Sequence, residues 1–240
     1  MRLGLFAKYW EPGKVKTRLA ESLGNAVAAE VYRAFVEHLM RYADFPDEPY
    51  IQTEVVYSPE SAEAAFRELA VPVDGESCWS FHPQGSGDLG QRMRRFFDRT
   101  FQQGYSRGMI IGTDSPTMPL KFVNQAYHLL RLHDVVLGPT EDGGYYLVAA
   151  RNQVPEIFAD ISWSTDKVWQ QTVAHLQQQH VNFAVLPTWY DVDYGEDLTR
   201  LLTEIEQVRS RDAGDHNRPP DAQAIVKLGD ELERILSPKE

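Results

Sequence analysis

One cysteine, Cys78, in 240 residues has no partner for an intramolecular disulfide and cannot build a thiolate zinc site. None of the seven histidines falls at metal-ligand spacing. No apolar run approaches the ~20 residues that cross a bilayer, and Met1-Arg2-Leu3-Gly4-Leu5-Phe6 lacks the form of a signal peptide. A cytoplasmic location with no membrane partner is the expectation. Basic charge is also scarce: 24 Lys+Arg against 35 Asp+Glu give −11 and a pI of about 5.1. Bulk attraction to nucleic acid or an anionic membrane is therefore not expected, and any anionic ligand must meet a local basic cluster. The sequence has no internal repeat and no Walker A loop.

What is present is an alternation of strand and helix patterns. Met109 to Gly112 is a short apolar run closed by Thr113, Asp114, Ser115 and Pro116. Such a run suits a strand buried on both faces of a parallel sheet. Ligands bind beyond the carboxyl ends of such strands, so Asp114 stands where an active-site carboxylate is expected. Further strands are expected over 2–8, 50–57, 77–81, 134–138 and 181–186. Helices are expected over 25–42, 60–69, 91–103, 120–132, 166–179 and 222–236. In 25–42 the stripe is Val27, Val31, Phe35, Leu39 and Tyr42. Ser164 or Thr165 is the natural N-cap of the helix near 166. Alternating elements predict an α/β domain, a mostly parallel sheet with helices on both faces. Residues 1–208 form that domain, and 209–240 a polar linker and a last helix.

The polar clusters fall at strand ends. After the first strand, Pro12-Gly13 precedes Lys14, Lys16 and Arg18, which is either a phosphate cradle or a solvated basic loop. Gly85-Ser86-Gly87-Asp88-Leu89-Gly90 formally matches a dinucleotide fingerprint, but it follows a weak strand separated by His82-Pro83-Gln84. It is either a nucleotide-contacting loop or a flexible turn. Glu141 and Asp142 precede Gly143-Gly144, a pair that suits close ligand approach or an acidic hairpin turn. Trp163 either lines a pocket or packs. Asp191 and Asp193 alternate, so in an extended segment they share one side. Their repulsion calls for a cation or hydrogen-bond donors. Mg²⁺, or Mn²⁺ in its place, with phosphate oxygens in its shell fits these carboxylates.

Taken together, several stretches resemble the GT-A fold superfamily of nucleotide-diphospho-sugar transferases. They are Phe6-Ala7-Lys8, Pro12 to Leu19, Gly87 to Met93, Ile111 to Pro116, Gly138-Pro139, Asp142 to Leu147, Trp163 to Thr165 and Asp191 to Leu198. Within it they are similar to small bacterial glycosyltransferases named for arsenosugar biosynthesis or as selenodomain-associated transferases. They are also similar to phospholactate guanylyltransferase. The resemblance covers about residues 2–205 and implies a Rossmann-like three-layer GT-A sandwich. It implies a transferase of nucleotidyl or glycosyl groups, acting on a nucleotide or nucleotide-sugar and a small acceptor, with a homodimer left open. It implies nucleotide contacts at Phe6, Ala7, Lys8, Lys14, Arg18, Gly87, Asp88, Leu89 and Gly90. Lys14, Arg18 and Asp142 are the expected catalytic residues, and Gly143, Gly144, Tyr145 and Trp163 the expected substrate contacts. Metal is expected on Asp114 and Asp193, with Asp191 behind Asp193. One departure is plain: where the glycosyltransferase Asp-x-Asp would continue, Asp114 is followed by Ser115-Pro116. The competing class is a non-catalytic nucleotide-binding regulatory module.

Overall fold

A computed structural model describes residues 1–43, 50–70, 79–211 and 219–237. The chain opens with β1 (Arg2–Lys8), α1 (Thr17–Leu23), α2 (Asn25–Tyr42), β2 (Gln52–Ser58) and α3 (Glu63–Leu69). Then come β3 (Ser80–Pro83), α4 (Leu89–Gln102), β4 (Arg107–Gly112), α5 (Lys121–Leu129) and β5 (Val135–Pro139). It closes with β6 (Tyr145–Arg151), α6 (Val168–Gln178), β7 (Phe183–Val185), α7 (Gly195–Arg211) and α8 (Pro220–Leu236). The sheet order is β3-β2-β1-β4-β6-β5-β7. Among the described residues, only β6 runs antiparallel to its neighbours, β4 and β5. The mostly parallel sheet expected from the sequence is therefore present.

Alternation in β1 and β4 divides the core. Leu3, Leu5, Ala7, Met109 and Ile111 pack with α2, α3 and α5 on one face. Phe6, Val56 and Ile110 pack with Met93, Phe96 and Phe97 of α4 on the other. Glycine makes this second packing close. A Cβ at Gly4 would lie 2.6 Å from the Phe96 ring, and one at Gly108 3.0 Å from Phe97. A third cluster sheathes the outer side of α2. Val31 and Phe35 of that helix meet Leu198 and Leu201 of α7 and Leu228 and Leu232 of α8. The last helix thus docks through an apolar stripe that includes Leu228, Leu232 and Ile235.

Several boundaries differ from the sequence expectation. The helix after Trp163 begins at Val168, not near 166, and its N-cap position is Lys167 with no side-chain cap. Thr165 instead donates to the Ser162 carbonyl at 2.6 Å, and Ser164 has φ 64°. The expected 77–81 strand is found as Ser80–Pro83, while residues 77 and 78, including Cys78, lie outside the described residues. The linker expected from 209 starts later, because α7 continues to Arg211, and residues 212–218 are not described. The helix expected over 60–69 is split into a 3₁₀ turn, Glu60–Ala62, and α3. Among the described residues, no helix is long and apolar enough to cross a membrane.

Candidate active site

At the carboxyl end of β1 the chain turns at Gly13, φ 80°, and returns through Lys16 into α1. Lys16 has φ 46° and ψ 44° at the N-cap of that helix, a left-handed conformation uncommon for a residue with a Cβ. The turn carries its side chain inward until only 2% is exposed. There Nζ contacts Asp114 Oδ1 and lies 2.9 Å from Asp193 Oδ1. Arg18 Nη1 takes the other oxygen, Asp193 Oδ2, at 3.3 Å. Burial acts to lower the Lys16 pKa, but the facing Asp114 and Asp193 charges outweigh it and hold the pKa above the usual lysine range. The ammonium is therefore a permanent cation between a carboxylate just beyond β4 and one just before α7.

Backbone bonds assemble the carboxylates. The Val192 N–H donates to the Asp114 carbonyl at 2.8 Å, which fixes residues 189–193 against the end of β4. Trp189 pairs with Thr140 beyond the end of β5. Asp191 is thus brought beside Asp114, where its Oδ1 accepts from Ser115 Oγ. Burial, and then the Asp114 charge, push its carboxyl up to about 7, with Asp142 adding to the repulsion. Asp142 Oδ1 accepts from the Gly144 N–H at 3.0 Å and from Thr140 Oγ1. Below the cluster, Tyr32 from α2 shares a 2.8 Å bond with Thr113 and accepts the Lys8 N–H at 3.0 Å. Burial, then Asp114, raise the Tyr32 hydroxyl to about 12, so it stays a neutral strut.

The glycine loop is stapled to the same edge. Gln84 is buried and donates to the carbonyls of Ala7, at 3.1 Å, and Val56, at 2.9 Å. Arg92 holds the Gly87 carbonyl at 2.8 Å, and Asp88 caps α4 by accepting the Gln91 N–H at 2.8 Å. Gly87 has φ 95°. Gly90 faces the Trp163 ring and the Phe158 carbonyl, which a Cβ would approach to 2.8 and 2.5 Å. Gly90→Ala is therefore expected to cost ~1–3 kcal/mol through overpacking. Thermal denaturation should show a melting temperature lower by roughly 2–12 °C; an unchanged value would contradict this packing.

The expected site residues thus separate into two sets. Asp114, Asp142, Asp191, Asp193 and Arg18 come together. Lys14 does not join them: it is 71% exposed and pairs with Glu11 at 2.9 Å. Phe6 is in the core against Phe96, the Ala7 carbonyl is taken by Gln84, and the Lys8 side chain is exposed. Leu89 is 42% exposed at the start of α4. Trp163 packs edge-on to Tyr145, with 6.4 Å between centroids. Gly143, φ 89°, lies so close to the Asp166 carbonyl that a Cβ would come within 2.3 Å. Gly144 donates its N–H to Asp142. Sequence reasoning missed the roles of Lys16, Tyr32, Gln84 and Ser115. Lys16 alone carried a signal, as the middle cation of the loop.

Three solved structures share this architecture. A provisionally named nucleotide-diphospho-sugar transferase from Desulfovibrio desulfuricans G20 is 31% identical, with a TM-score of 0.75 over 98% of this chain and 97% of that one. A cytidylyltransferase from Leptospira borgpetersenii serovar Hardjo-bovis aligns over 99% and 97% at 11% identity, TM-score 0.50. A 4-diphosphocytidyl-2C-methyl-D-erythritol synthase aligns over 83% and 96% at 11% identity, TM-score 0.52. The GT-A, Rossmann-like fold expected from the sequence is thus the fold observed. No curated protein matches the chain. A family model described as an uncharacterized protein conserved in bacteria (DUF2064) matches residues 42–165. With half of its length matched, the chain belongs to the DUF2064 family.

Proposed function

We propose that this chain is a divalent-cation-dependent transferase that moves a nucleotidyl group from a nucleoside triphosphate to a small oxyanionic acceptor. The observation that carries the reading is Lys16, buried at the carboxyl edge of the sheet between Asp114 and Asp193, with Arg18 beside it. Cations there suit a polyphosphate, and carboxylates beside them suit a metal bound to it. Among the described residues, no set of three or more His, Cys, Asp or Glu side chains is gathered tightly enough to hold a metal by itself. Mg²⁺ does not require one, since it is held by one or two carboxylates together with water and substrate phosphates. Asp114 and Asp191 fit that part: they repel one another, and one oxygen of Asp191 is left beside its Ser115 bond. Both oxygens of Asp193 face Lys16 and Arg18, so Asp191 replaces it in this reading as the partner of Asp114.

The bound cation would neutralise charge on the phosphate oxygens. The acceptor oxygen forms a bond to the α-phosphorus as the α–β phosphoanhydride bond breaks and pyrophosphate leaves. Lys16 and Arg18 compensate the charge on the departing pyrophosphate. Asp142, anchored by Thr140 and Gly144, is assigned to the acceptor in this reading. Lys14, on the outside of its loop, has no part.

A second reading, glycosyl transfer from a nucleotide-diphospho-sugar, is favoured by the name of the 31% identical relative. The absence of a second aspartate at Pro116 weighs against it, because the second carboxylate comes instead from the 189–193 segment. Incubation with nucleoside triphosphates, nucleotide sugars, Mg²⁺ and phosphorylated acceptors separates the two. Pyrophosphate release is expected; nucleoside diphosphate released from a nucleotide sugar would replace this reading with the second. Tight nucleotide binding without turnover on either donor class would favour the regulatory module.

A further inference from the structure

At the opposite, amino-terminal edge of β4 lies a cavity of about 300 Å³, lined by Ser106, Arg107, Leu130, Arg131, Arg151 and Asn152. Three guanidinium groups around one cavity are unexpected in a chain of net charge −11. Arg107 and Arg151 are direct cross-strand partners in the β4–β6 pair, and like charges placed opposite one another cost stability unless something compensates them. Arg151 is compensated: its guanidinium pairs with Asp134 at 2.9 Å and donates to the Arg131 carbonyl at 3.3 Å. Arg107 lies over the Tyr127 ring, 4.6 Å from its centroid. Among the described residues, neither Arg107 nor Arg131 has a carboxylate within ion-pair distance. Two uncompensated guanidiniums therefore share a pocket with a third.

We propose that this cavity is an anion site for a small phosphorylated ligand, separate from the candidate active site. Guanidinium groups match phosphate oxygens in geometry, donating two parallel N–H bonds. The volume lies at the lower end of the range for small-molecule sites, enough for a phosphate monoester. A polyanionic macromolecule would meet the chain's net negative charge, whereas a small ion meets only the local field. The two edges are joined by rigid elements. β4 runs from Arg107 to the turn bearing Asp114, and β6 runs from the Gly144 turn to Arg151, a span of about 20 Å.

Isothermal titration at low salt, with inorganic phosphate and with AMP as separate titrants, tests the site. A binding event at this cavity is expected, and Arg18→Ala at the other edge should leave it in place. It should weaken by about tenfold or more in Arg107→Ala/Arg131→Ala, because charge-assisted bonds are lost. Equal affinity for both titrants identifies the phosphate group alone as the ligand chemistry; tighter AMP binding identifies a nucleotide. Should the double variant fail to fold, the exposed Arg131→Ala alone is expected to weaken binding several-fold. The proposal is overturned if neither titrant binds, if the arginine variants bind as tightly as the parent, or if Arg18→Ala alone abolishes the event.

Discussion

Lys16→Met is expected to lower transferase activity by about 10²–10³-fold and to lower stability by ~1–3 kcal/mol at neutral pH. Methionine keeps the length and apolar stem of the side chain, so the loss reports the charge. Without the ammonium, Asp114 and Asp193 face one another with only Arg18 on one of them. Breaking a buried pair by removing one partner costs about 3–5 kcal/mol. The Asp114 side chain is 50% exposed, so water screens part of that loss and the lower figure applies. The sign of the pH dependence follows from the raised lysine pKa. Its stabilisation is fully present below the ordinary value of 10.5 and is lost only as pH rises through the still higher folded value. The lysine's own titration therefore adds no pH dependence to the gap between parent and variant below about pH 9; the gap should widen as pH rises through about 7, because Lys16 also holds the Asp191 carboxyl down. Lys14→Ala is the control: an exposed residue paired only within its own loop should move stability by no more than about 0.5 kcal/mol. Thermal denaturation and turnover of the three proteins decide the matter. A Lys16→Met protein as stable and active as its parent would remove Lys16 from the site.

That contrast between two lysines shows where the sequence was legible. Periodicity placed α2 at its observed bounds, because ten of its residues are buried and leave a strong stripe. The run Met109–Gly112 marked β4, because a strand covered on both faces has no polar residues to confuse with a surface. The carboxylates at its end followed from the rule that ligands gather at carboxyl edges. The order of importance among Lys14, Lys16 and Arg18 did not follow. Alternation suggests that all three share a side in an extended chain, but Gly13 turns the chain just before them and the left-handed Lys16 turns it among them. Side-chain direction there is set by two positive φ values, which residue type alone does not announce. Tyr32 and Gln84 were illegible for another reason. Each acts through long-range hydrogen bonds, among them Tyr32 to Thr113 and Gln84 to Ala7, and partners 81 and 77 positions away leave no local pattern. Gly143-Gly144 was legible as a special backbone, yet its visible cause is contact with Asp166.

Asp191→Asn is expected to raise the stability of the cation-free protein by ~1–3 kcal/mol above about pH 7, and to weaken Mg²⁺ binding by about tenfold or more. Burial and the neighbouring Asp114 push the folded carboxyl from 3.8 up to about 7. Below about pH 4 the acid is protonated in both folded and unfolded chains, and the site costs nothing. Between the two values the folded chain must hold a proton that the unfolded chain releases, so stability falls as pH rises. Above about pH 7 the penalty is complete, because the folded carboxylate then sits charged beside Asp114. Asparagine removes the charge while its Oδ1 still accepts from Ser115, so the variant should escape this fall. Its melting temperature should match the parent's near pH 4 and exceed it by roughly 2–12 °C near pH 8. An equal gain at both pH values would assign the effect to packing and not to charge. Mg²⁺ should then reverse the order, since a ligand that binds only the folded state stabilises in proportion to its affinity. The parent would rise with added cation while Asp191→Asn stays nearly level. If the pH effect appears but Mg²⁺ shifts neither protein, the crowded carboxylates stand and the metal reading falls. Lys16 would then be the cation that the site was built around.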